Sequence, residues 1–128
     1  MVILDTNIII DHLRQLDSKQ TIYQKLLKKY SCMSLGICTI SIQELFVGKS
    51  TRNRHAQLVL VKSLKGLKIY SHTASIAKLA GEITRDLNNQ VKFADAAIAA
   101  SAIHHGASLA TLNTKDFAGI PHLKLLSL

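Results

Sequence analysis

Eight carboxylates are spread along 128 residues, and several of them lie in apolar surroundings beside a strand-to-helix junction. Asp5 closes Val2-Ile3-Leu4. Glu44 lies in Ile-Ser-Ile-Gln-Glu-Leu-Phe, just after a β-branched run. Asp95 opens the otherwise uncharged Ala/Ile stretch from Ala94, and Asp116 follows Ser108 to Thr111 in Asn113-Thr-Lys-Asp116-Phe117. Ligands of open α/β sheets bind in the crevice beyond the carboxyl ends of the strands, and four carboxylates from distant parts of the chain could converge there. Four carboxylates at one rim repel one another unless one takes a proton or a cation sits among them. Carboxylate and water oxygens select hard ions, so Mg²⁺ or Mn²⁺ is the natural occupant. Each acid also has a local role open to it. Ser41 and Glu44 have capping-box spacing, Asp95 would suit the positive end of a helix dipole, and Asp116 stands three residues after a candidate Asn113 cap.

The chain that carries these acids is basic, with 16 Lys+Arg, a net charge of +8 and a pI near 9.7. Between Arg14 and Lys68 eleven basic residues face two acids, Asp17 and Glu44. Such a balance points to a polyanionic partner, the alternative being a solvated surface. A cation-holding pocket in a basic protein suggests phosphodiester hydrolysis, with Lys and Arg holding the flanking backbone and Lys49, Arg52 and Arg54 as candidates for that contact. Other chemistry lacks its motif. The six histidines form no H-x-x-x-H pair, and neither a phosphate-binding glycine loop nor G-x-S-x-G is present. Cys32 and Cys38 are expected to be small buried hydrophobes, and Tyr23, Tyr30 and Tyr70 core residues before base-stacking ones.

The elements that must position the acids follow from periodicity. Val2 to Leu4, Ile37 to Ile40, Leu67 to Tyr70, Ser108 to Thr111 and Leu123 to Leu126 read as strands. Helical patterns cover Ile8 to Leu13, Ser18 to Tyr30, a segment from Ser41, Arg52 to Leu64 closed by Gly66, and Ala94 to His104 closed by Gly106. The clearest helix opens at Thr73, its apolar face made by Ile76, Leu79, Ala80, Ile83 and Leu87. Strands alternating with helices imply a mostly parallel sheet covered on both faces, and the absence of a linker implies one domain over residues 1–128. No run approaches the ~18 to 20 apolar residues that span a bilayer, and Asp5 interrupts the N-terminal apolar run, so no membrane association is expected and a cytoplasmic location is.

The stretches Val-Ile-Leu-Asp5-Thr6-Asn7-Ile-Ile-Ile-Asp11, Ser41-Ile-Gln-Glu44-Leu, Ala94-Asp95-Ala-Ala-Ile and Thr111-Leu-Asn113-Thr-Lys-Asp116-Phe117 together resemble PIN-domain ribonucleases, most closely VapC-like toxins of toxin–antitoxin pairs, over nearly the whole chain. The resemblance implies a three-layer α/β/α PIN fold with a mostly parallel central sheet. It makes Asp5, Glu44, Asp95 and Asp116 the acidic metal-binding and catalytic set, with Thr6, Thr111 and Asn113 as supporting polar groups. It also implies a Mg²⁺- or Mn²⁺-dependent endoribonuclease, commonly homodimeric, silenced by a small VapB-like antitoxin. One departure is Asn88-Asn89-Gln90-Val91-Lys92, where many relatives have a glycine turn before the third acid. Competing readings are a PIN nuclease of RNA processing outside a toxin pair and a non-catalytic nucleic-acid-binding PIN module. A receiver-like module is disfavoured, since Lys49 to Lys68 contains no acid to serve as phospho-acceptor.

Overall fold

The computed structural model describes residues 1–18, 20–31 and 34–128. Five short strands, β1 (Val2–Leu4), β2 (Leu35–Cys38), β3 (Lys68–Tyr70), β4 (Ser108–Ala110) and β5 (Lys124–Leu125), form one parallel sheet in the order β3-β2-β1-β4-β5. Between them run α1 (Thr6–Arg14), α2 (Ile22–Lys29), α3 (Thr39–Val47), a 3₁₀ turn at Lys49–Arg52, α4 (Arg54–Leu64), α5 (Ala74–Asp86), α6 (Phe93–His104) and α7 (Thr114–Phe117). The expected α/β class with a parallel sheet between helical layers is what forms.

Side chains alternate across a strand, and β1 shows how that builds two cores. Ile3 packs with Tyr70, Ile76, Ile83, Ile98, Leu109 and Phe117 on the face of α5 and α6, while Val2 and Leu4 pack with Ile8, Ile9, Tyr23, Leu26, Ile37 and Leu60 on the other. Because both faces are covered, these strands read as continuous apolar runs. The same reason explains α6, whose residues from Ala96 to Ala102 are all buried: a helix apolar all round is a core helix. The anticipated α5 face is the buried one, with Ile76, Ala80 and Ile83 in the core and Leu79 and Leu87 packed against it.

β1 lies at the centre. The chain leaves it to one side for β2 and β3, then crosses to its other side for β4 and β5. The crevice at this topological switch point opens between the carboxyl ends of β1 and β4. The backbone N–H of Asp5 donates to the Ala110 carbonyl at 2.9 Å, holding the two strand ends together.

Several boundaries differ from the sequence reading. β2 starts at Leu35 and ends at Cys38, so Thr39 and Ile40 are helical and the N-cap of α3 is Cys38, which makes no side-chain cap bond. Ser41 therefore lies inside the helix, its buried hydroxyl without a hydrogen-bond partner, and the Ser41–Glu44 capping box does not form. α2 begins only after Thr21, which makes a capping box with Gln24; Lys19 of the expected longer helix lies outside the described residues. The helix expected from Arg52 is divided by Asn53, whose side chain caps α4. Asn88 and Asn89 both adopt left-handed backbone, with φ of 53° and 61°. Asparagine tolerates this region better than other non-glycine residues, so the pair makes the turn into α6 without a glycine. Cys38 is buried, and burial pushes its thiol up to about 11; Cys32 lies outside the described residues. Tyr23 and Tyr70 are core residues, and Tyr30 packs against the core.

Candidate active site

Asp5 is the N-cap of α1 and only 5% exposed. Its Oδ1 accepts the Thr6 backbone N–H at 2.8 Å, and its Oδ2 accepts the Thr111 hydroxyl at 2.7 Å, from a residue 106 positions away at the end of β4. Burial raises the pKa of this carboxyl, the hydrogen bonds from Thr111 and Thr6 oppose the rise, and the charges of Glu44 and Asp116 add to it. Glu44 is exposed on α3, and its Oε1 accepts the Thr6 hydroxyl at 2.7 Å. Consecutive residues at the head of α1 thus serve two acids, Asp5 by being one and Thr6 by orienting the other.

Asp95 enters from the first turn of α6, half-buried. Burial, followed by the charges of Asp5, Asp116 and Glu44, pushes its carboxyl up to about 6, with Lys92 alone pulling the other way. Asp116 is exposed in α7, and Asn113, the N-cap of that helix, makes no side-chain cap bond. Asn113 instead takes part through its backbone N–H, which donates to Thr111 Oγ1 at 3.0 Å. Asp5 and Asp95 lie within electrostatic range of each other, and each of them lies within range of Glu44 and Asp116. Among the described residues the ion pairs are Lys78–Glu82 and Arg85–Asp86, so none of the four acids is held in an ion pair, and Lys92 acts on Asp95 only from a distance.

An all-oxygen, mutually repelling donor set fits a hard divalent cation. Among the described residues no group of three or more His, Cys, Asp or Glu side chains is placed to hold a metal ion, so a cation here would rest on one or two carboxylates completed by water.

One contributor at this rim was absent from the sequence-derived set. Asn7 donates from Nδ2 to Thr111 Oγ1 at 3.3 Å and accepts the Leu112 backbone N–H at 3.2 Å. Its signal was its place directly after Asp5-Thr6 in the first turn of α1. Among the described residues no hydrogen bond or ion pair draws the basic candidates into the rim. Lys49 and Arg52 are exposed in the 3₁₀ turn and Arg54 opens α4, beyond the far end of α3, a helix of nine residues and so roughly 13 Å long.

A parallel sheet in this order, with its acids collected at the switch point, defines the class. The PIN domain family model matches residues 2–123, and the chain belongs to that family. Among solved structures it is similar to a chain of VapBC2 from Rickettsia felis bound to a DNA fragment from their promoter, with 28% identity, a TM-score of 0.82 and coverage of 100% of this chain and 99% of that one. It is similar also to a chain of a toxin-antitoxin complex from Klebsiella pneumoniae, with 29% identity, a TM-score of 0.75 and coverage of 96% and 95%. VapC20 of Mycobacterium tuberculosis, a Sarcin-Ricin loop cleaving toxin, shares the fold at 14% identity and a TM-score of 0.69, over 96% of this chain and 98% of that one. No curated protein matches the chain in sequence. The resemblance to PIN domains and VapC-like toxins read from the four sequence stretches is borne out. Among the described residues no helix is long and apolar enough to cross a membrane.

Proposed function

We propose that residues 1–128 form one PIN domain that hydrolyses RNA phosphodiester bonds as a divalent-cation-dependent endoribonuclease, working in the cytoplasm as the toxin of a toxin–antitoxin pair. The observation that carries this reading is the gathering of Glu44 and Asp116 around Asp5 and Asp95, within electrostatic range of both and with none of the four in an ion pair among the described residues, in a chain of net charge +8.

Asp5 and Asp95 would hold the cation first, with Glu44 and Asp116 completing the negative field. Bound there, Mg²⁺ or Mn²⁺ supplies neutralisation of the phosphate, a lowered pKa for an attacking water and stabilisation of the leaving oxygen. The chain's own groups do the rest. Thr111 and the Thr6 backbone hold both oxygens of Asp5 in place, and the Thr6 hydroxyl fixes Glu44. Lys49, Arg52 and Arg54 are exposed and free of ion pairs among the described residues, as phosphate contacts require. The VapBC and toxin-antitoxin complexes among the similar structures support a small VapB-like antitoxin as partner. A homodimer is expected from the family, and sedimentation of the purified chain tests it.

The deciding experiment is incubation with a mixed RNA pool in Mg²⁺ and in EDTA, with cut ends mapped. Wild type should cleave internally only with the metal, and folded Asp5→Asn and Asp95→Asn should not cleave. Cleavage persisting in excess EDTA or in either variant refutes the mechanism, and RNA that is retained but never cut indicates a binding module. Recovery of no stoichiometric partner from the native host favours a nuclease outside a toxin pair.

A further inference from the structure

The hydrogen bonds around Thr111 leave its hydroxyl one choice. The Leu112 backbone N–H is only a donor, so the Asn7 atom facing it at 3.2 Å is Oδ1, which turns Nδ2 toward Thr111 Oγ1 at 3.3 Å. The Asn113 backbone N–H donates to the same oxygen at 3.0 Å. A hydroxyl has two acceptor lone pairs and one proton. With both lone pairs engaged, the proton goes to the remaining neighbour, Asp5 Oδ2, at 2.7 Å. Thr111 is 1% exposed, so water does not compete for these positions. Without Asn7 one lone pair falls vacant, and the loop from β4 to α7 loses both tethers to the first turn of α1.

We propose that Asn7 is a positioning residue of the acidic rim: it clamps the loop after β4 to α1 and commits the Thr111 hydroxyl to Asp5 Oδ2, so that Asp5 presents its free lone pairs to a cation in one fixed orientation. The clamp itself rests on the hydrogen bonds, and its bearing on the cation rests on the function proposed above. Asn7 touches neither the cation nor the substrate in this scheme, and of its two loop contacts only Thr111 reaches Asp5, so its effect on that carboxylate runs through Thr111. Groups that orient a metal-binding side chain are worth about 10- to 100-fold in metal affinity when removed.

The test measures Mn²⁺ binding to the full chain by paramagnetic resonance, with amide exchange followed in the metal-free protein. Asn7→Ala, and Asn7→Leu which keeps the volume, should each weaken Mn²⁺ binding at least several-fold and speed exchange of the Leu112 and Asn113 amides. Thr111→Val should weaken binding comparably, and Thr111→Ser should restore most of what Thr111→Val loses. The double variant Asn7→Ala with Thr111→Val should bind no more weakly than Thr111→Val alone, which a general loosening of the fold would not reproduce. Wild-type Mn²⁺ affinity in both Asn7 variants, or losses that multiply in the double variant, overturns the assignment. If wild type itself binds no Mn²⁺, the cation reading fails, and the exchange of the Asn113 amide still decides the clamp: that N–H is bonded to Thr111 and not to Asn7, so unchanged exchange in the Asn7 variants refutes it.

Discussion

Replacing Asp95 by asparagine should stabilise the metal-free protein, against the usual expectation for a helix's first turn. Burial and the charges of Asp5, Asp116 and Glu44 raise this carboxyl to about 6 from an unfolded value of 3.8. A shift of about two units corresponds to a ceiling of about 3 kcal/mol, and because the side chain is only half-buried, solvent screening reduces that to about 1 to 2 kcal/mol. The folded state binds the extra proton, so stability is greatest below the unfolded value and is lost as pH rises through about 6. At pH 7 the full penalty applies. Asparagine removes it and forfeits the favourable dipole interaction, about 0.3 to 1 kcal/mol, for a net gain of about 1 kcal/mol. For a domain of this size that is a rise in Tm of roughly 3 to 5 °C. The assay is a pair of thermal melts in EDTA at pH 7 and pH 4, repeated at pH 7 with millimolar Mn²⁺. The advantage of the variant should shrink towards pH 4, where the wild-type carboxyl is protonated. Mn²⁺ at a hundredfold excess over Kd should stabilise wild type by about 2.7 kcal/mol, and Asp95→Asn should lose most of that gain. A variant clearly less stable than wild type in EDTA at pH 7, with an undiminished Mn²⁺ response, refutes the converged-carboxylate model.

Ser41→Ala should leave stability unchanged or raise it, because the hydroxyl is buried without a partner; a loss above about 1 kcal/mol in urea melts would restore the capping role. Neutralising Lys49, Arg52 and Arg54 together should reduce the dependence of log K on log salt for single-stranded RNA by about 2, at about 0.7 per phosphate contact, and an unchanged slope returns them to a solvated surface. Asn89→Val should cost about 1 to 2 kcal/mol because a β-branched residue resists a φ of 61°, whereas Asn89→Gly should be tolerated; equal melting of the two variants would contradict the left-handed turn.

Local pattern was enough to determine the class of fold and the acids worth suspecting. Short apolar runs followed by polar, helix-starting residues mark buried parallel strands, and an acid placed just after such a run must lie at the sheet's carboxyl rim whatever the strand order. The α5 face was legible because a 3.6-residue period survives wherever one side of a helix is buried. Tertiary structure decided what no window of sequence contains. Ser41 and Glu44 have the spacing of a capping box, yet β2 pairs with β1 from Leu35 and with β3 from Gly36 and ends at Cys38, and two residues of shift turn Ser41 into the core and leave Glu44 to Thr6. Asn7 looked like the remainder of a motif, since its partners arrive with a loop more than a hundred positions later. Asp5 owes its orientation to Thr111 for the same reason: strand order brings β4 beside β1, and hydrogen bonds between chain-distant residues exist only once that sheet has closed.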